Sequence, residues 1–73
     1  MTFKEFKHKW ETEILPNKES FIREGQALIN FLGDVWFEEY KRINNTEFDC
    51  FHSNRLIPNT WKHLEKVWIN YPN

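Results

Sequence analysis

Apolar side chains recur along the chain at helical spacing. Phe3, Phe6, Trp10 and Ile14 fall at i, i+3, i+7 and i+11 within an otherwise charged stretch, the stripe of an amphipathic helix. The preceding Thr2-Phe3-Lys4-Glu5 matches a capping box, in which the threonine hydroxyl and the glutamate carboxylate each satisfy a backbone N–H of the first turn. A helix is expected to start there and to end before Pro16, because the residue preceding a proline is pushed out of helical geometry.

Asn17 is placed to cap a second helix, led by Lys18 and Glu19 and carrying Phe21, Ile22, Gly25, Leu28, Ile29 and Leu32 on one face. At roughly 100° per residue these positions span an arc of about 120°, with Gly25 near its centre. A glycine inside a helix costs about 1 kcal/mol relative to alanine. Its position on the apolar face predicts that another helix or a ring comes unusually close. Gly33-Asp34 is expected to break the pattern, the glycine ending one helix in left-handed geometry and the aspartate capping the next. A short third helix follows, with Trp36, Phe37, Tyr40 and Ile43 inward and Glu38 and Arg42 as a solvent-side ion pair.

Asn44-Asn45-Thr46 stops that helix, and residues 44–58 show neither helical nor alternating periodicity. Phe48, Phe51, Leu56 and Ile57 predict that this segment packs back on the core. Pro58 and Asn59 announce the last helix, whose Trp61, Leu64, Val67, Trp68 and Tyr71 share one face before Pro72. No strand pattern or internal repeat is present. The pattern predicts an all-α fold: a compact four-helix domain over residues 1–73, with one long irregular segment between helices three and four.

Composition sharpens this picture. A chain of 73 residues buries only about 60% of the surface its unfolded form exposes, so its core must be efficient. Four Trp, seven Phe and two Tyr supply that core. Ten Lys plus Arg against eleven Asp plus Glu leave neither a basic footprint for nucleic acid nor an acidic imitation of it. Lys4, Lys7, His8 and Lys9 do cluster, but Glu5, Glu11 and Glu13 interleave with them. Cys50 is the one cysteine, which excludes an internal disulfide and fits a reducing cytoplasm. No apolar run is long enough for a membrane span.

Arg23, Gln26 and Asn30 lie within about 60° on the second helix, bordering its apolar face. The favoured reading makes them a clamp: Asp49 pairs with Arg23, and Gln26 or Asn30 bonds backbone groups of the irregular segment, which has no ladder of its own. The alternative is a pocket for an anionic or nucleotide-like ligand, lined by Arg23, Gln26, Asn30, Thr46, Asp49 and His52. Cys50-Phe51-His52 lacks the ligand count of a zinc site, and no third group orients its Cys–His pair for nucleophilic attack. His63 is expected to make a boundary hydrogen bond, and His8 to face solvent. Adjacent Glu38 and Glu39 diverge by about 100° and cannot share a proton. Neither catalysis, metal nor cofactor is expected.

Arg23-x-Gly25-Gln26-Ala27-Leu28-x-Asn30, then Thr46-x-x-Asp49-x-Phe51, then Ile57-Pro58 and Trp68, resemble a family of small phage and bacterial proteins of unknown function. The resemblance covers residues 21–69. Asn45, Cys50 and His52 stand where its pattern has glycine, proline and tyrosine. It implies a protein that binds and modulates a host protein, with host defence systems among the candidates, inside the host cytoplasm. Val35, Trp36 and Ile69, together with Phe31, fall outside the main apolar arcs or at their edges and are where such an interface, or a homodimer face, is expected.

Overall fold

The computed structural model describes residues 1–72, and in it the chain folds into four α-helices with no strand among the described residues. Helix α1 spans Phe3–Lys9 and opens on the complete capping box, with the Thr2 hydroxyl accepting from the Glu5 N–H and the Glu5 carboxylate accepting from the Thr2 N–H. It continues into a widened π-helical turn over Trp10–Ile14, where the Leu15 N–H reaches the Trp10 carbonyl at 2.8 Å.

The second helix begins later than its apolar pattern predicts. Helix α2 spans Glu24–Val35, with Arg23 as its extended N-cap residue. Asn17 caps backwards: its side-chain amide donates to the Glu13 carbonyl at 2.7 Å, and Lys18 Nζ donates to the Ile22 carbonyl at 2.8 Å. Residues 15–22 form turns and bends instead of a helix, and Phe21 ends up 77% exposed instead of facing the core.

The expected break at Gly33 is also displaced. Gly33 and Asp34 remain helical, and the chain turns at Trp36, with φ −146° and ψ 75°. The reason lies in packing. The Tyr40 ring sits 3.5 Å from where a Gly33 Cβ would stand, while Trp36 swings inward to meet Trp68 and Tyr71 edge-on, each at 5.3 Å. Helix α3 then spans Phe37–Ile43. Its ion pairs are Glu38 with Lys41 and Glu39 with Arg42, not Glu38 with Arg42. Ile43 and Trp36 are buried and Tyr40 half-buried, but Phe37 lies on the surface.

The segment after α3 is irregular through Ser53 and shorter than the sequence implies. A 3-10 turn over Asn54–Leu56 leads directly into α4, Ile57–Val67, which carries Pro58 in its first turn and passes into a 3-10 turn over Trp68–Asn70. The segment packs back on the core as expected, with Cys50 buried and Phe48, Phe51, Leu56 and Ile57 half-buried.

The core is a run of rings. Phe6 stacks on Phe31 at 4.6 Å and meets Trp68 at 4.8 Å, and Trp10 stacks on Phe31 with ring centroids 6.3 Å apart. Such pairs add about 0.5–1.5 kcal/mol each beyond area burial. Phe31, one of the candidate interface residues, is therefore core.

The two glycines make opposite predictions. A Cβ at Gly25 would stand 2.2 Å from the Cys50 carbonyl oxygen, so Gly25→Ala forces the backbones apart and is expected to destabilise by roughly 1–3 kcal/mol despite its better helix propensity. Gly33→Ala meets only ordinary contact with Tyr40 and is expected to stabilise by about 0.5–1 kcal/mol. Urea unfolding of both variants checks the opposite signs.

Candidate functional site

The backbone of residues 44–53 has no regular partner, so its polar groups must be met by side chains. Arg23 meets one of them: Nη2 donates to the Phe51 carbonyl at 2.9 Å, which is the clamp its position predicts. Its partner is backbone, however, and not Asp49. The Asp49 carboxylate turns back on its own segment, accepting from the Asn45 N–H at 2.8 Å and the Phe51 N–H at 3.0 Å. Asn45 holds a positive φ of 65°, a geometry asparagine tolerates better than most residues.

Gln26 and Asn30 do not take part. Neither side chain makes a hydrogen bond among the described residues; Gln26 is half-buried and Asn30 exposed. Asn54 and Thr60, to which the sequence pattern gives no role, and Cys50 do the work instead. Asn54 Oδ1 accepts from the Gly25 N–H at 2.9 Å, the Cys50 thiol lies 3.5 Å from the Gly25 carbonyl, and buried Thr60 donates to the Phe48 carbonyl at 2.6 Å. Thr46 closes the turn after α3, donating to the Ile43 carbonyl at 2.6 Å and accepting from the Phe48 N–H at 3.2 Å.

The six candidate pocket residues therefore do not gather round one cavity. Asp49 and His52 border a hollow of about 150 Å³ with Tyr40 and Phe51, whereas Asn30 borders another of about 280 Å³ with Ile14, Ile22 and Phe31. Arg23 is turned to the Phe51 carbonyl.

The most strongly buried charge is elsewhere. Glu39 is 0% exposed; one oxygen is bonded by Arg42, and the other lies 2.6 Å from His63 Nε2. The Phe48 ring stacks on the His63 imidazole at 4.2 Å. This links α3, α4 and the irregular segment at one point. His63 does make the boundary hydrogen bond expected of it. The carboxylate it meets lies 24 positions away and is invisible to spacing along one helix. One signal was available, since Glu39 falls between Trp36 and Ile43 at the i+3 position of the inward face of α3.

Cys50 is buried and unpaired, and that burial pushes its thiol pKa up. His52 points outward, with its ring edge-on to Phe51 at 4.8 Å. A protonated buried thiol beside an exposed histidine lacks the thiolate that nucleophilic chemistry needs. No group of three His, Cys, Asp or Glu among the described residues is placed to hold a metal ion.

Of the expected interface residues, Ile69 is 90% exposed and Val35 half-buried, but Trp36 is core. The inward face predicted for the third helix is where Trp36 lies, at the break between α2 and α3. Phe37 and Phe21 take its place as exposed rings. Ile69 borders a hollow of about 290 Å³ with Met1, Phe3 and Tyr71. The chain matches no family model, no curated protein and no solved structure.

Two predictions follow from the buried groups. His63→Ala strips a wholly buried carboxylate of one partner and is expected to cost about 3 kcal/mol or more. Arg42→Ala costs less, because the guanidinium is 60% exposed and water replaces it; the two urea midpoints give the comparison. For Cys50, the raised folded-state pKa favours the neutral thiol in the fold. Its contribution to stability is complete below the unfolded thiol's pKa and lost as pH rises from there through the folded value. Stability is expected to fall above about pH 8.5, less steeply in Cys50→Ala, with native Cys50 reacting far more slowly with a thiol reagent than the unfolded chain.

Proposed function

We propose that this chain is a small phage-type interaction protein that binds and modulates a host protein, acting by contact and not by catalysis. The observation that carries the reading is Ile69, a large aliphatic side chain 90% exposed at the rim of the hollow formed by Met1, Phe3 and Tyr71. An apolar side chain that adjoins an apolar hollow offers the contiguous surface on which a partner's anchor can dock. Phe37 is a second exposed ring, stacked on Tyr40 at 5.6 Å.

Three further features support it. The formal charge of −1 leaves no electrostatic pull towards nucleic acid. Every buried side-chain polar atom among the described residues has a hydrogen-bond partner within the fold. No helix among the described residues is long and apolar enough to cross a membrane. The motif resemblance adds the phage-type setting, with host defence systems among the targets and the host cytoplasm as the place. An anion pocket at Arg23, Gln26 and Asn30 has less support, since Arg23 is bonded to backbone and Asn30 borders a separate hollow.

The test is comparative capture from bacterial lysate with the wild-type chain and with Ile69→Lys. The substitution lies on the surface and leaves stability within about 0.5 kcal/mol. Host proteins held by the wild type and lost by the variant are the expected result; identical capture by both removes the basis of the reading. Light scattering separates the remaining occupant: a dimer that Ile69→Lys dissolves makes a second copy the partner in place of a host protein.

A further inference from the structure

The hollow of about 150 Å³ beside the irregular segment has a chemistry of its own. Ile29 of α2 and Tyr40 of α3 form part of its wall, and Asn44, Asn45, Asp49, Phe51 and His52 supply the rest from the segment. Asp49 is half-buried, with its two oxygens held by the Asn45 and Phe51 N–H groups. Those two bonds fix the carboxylate in direction. They leave acceptor positions over, since an ionised carboxyl group offers about four.

Asp49 belongs to no ion pair among the described residues, and neither lysine nor arginine borders the hollow. Arg23, the guanidinium bonded to this segment, spends its contact on the Phe51 carbonyl and does not line the cavity. Tyr40, Phe51, Asn44 and Asn45 line the same hollow as Asp49. An anion entering here meets an uncompensated negative charge. A cation meets a carboxylate held in direction by two backbone N–H groups, in a wall that also includes the aromatic residues Tyr40 and Phe51.

We infer that this hollow is a receptor for a guanidinium cation, which is flat, weakly hydrated and suited both to a carboxylate edge and to stacking on a ring. The ligand class is the reverse of the anion that the sequence suggests for these residues. The group comes either from a free small guanidine or from an arginine side chain on a protein surface. The inference is independent of the Ile69 surface, because its probe is a small cation added to the isolated chain.

The experiment is an amide-resolved NMR titration with millimolar methylguanidinium chloride at constant ionic strength and neutral pH, alongside a matched titration with sodium phosphate. Saturable shifts at Asn45, Phe51 and His52 with methylguanidinium, and none with phosphate, are expected. His52→Lys places the protein's own cation at the rim from an exposed position, so the spectrum stays folded while methylguanidinium binds about tenfold more weakly. A blocked arginine peptide binding about tenfold more tightly than methylguanidinium identifies a protein side chain as the source, and equal affinities identify a free guanidine. Absence of saturable shifts, saturation by phosphate, or undiminished affinity in His52→Lys overturns the assignment.

Discussion

The structure depends on the approach of two backbones at Gly25. The Cys50 carbonyl comes so near the first turn of α2 that no side chain fits between, and the contact is doubled by the Asn54 oxygen on the Gly25 N–H and the Cys50 thiol beside its carbonyl. An irregular segment can lie against a helix only if its polar groups are answered there. Glycine at position 25 makes that possible by bringing the helix's own unsatisfied first-turn N–H within reach.

Once that contact is made, the rest of the segment is fixed by a few side chains from different elements. Arg23 holds the Phe51 carbonyl from α2, and Thr60 holds the Phe48 carbonyl from α4. Asp49 closes a turn within the segment itself, and Thr46 joins the segment to the Ile43 carbonyl at the end of α3. Glu39 joins α3 to α4 through His63, and Phe48 covers the imidazole. No buried side-chain polar atom among the described residues is left without a partner, which is how a short chain tolerates a charged group at its centre.

The helices were legible because stripes such as Phe3-Phe6-Trp10 and Trp61-Leu64-Trp68 report burial directly. The capping box located the first start. Boundaries were not legible where tertiary packing overruled local preference: residues 18–22 carry helical spacing yet form a turn, and Gly33 continues a helix because Tyr40 covers it. For the site, the role of Arg23 was readable from its place at an apolar border. Its true partner was not, since Asp49 had a nearer use in its own turn. The Glu39–His63 contact joins residues far apart in sequence, and no spacing rule along a single helix reaches across it.

The ring of Trp68 has a consequence for the order in which the molecule assembles. It touches Phe6 and Trp36, and its indole N–H donates to the Met1 carbonyl at 3.0 Å, so the turn after α4 closes against the start of α1 across 67 positions of sequence. Contacts so far apart along the chain carry the largest loop-closure entropy, and local helices form faster than such contacts close. The docking of α4 on α1 is therefore the slow event of folding, and Phe6 and Trp36 stay wet on one side until it happens.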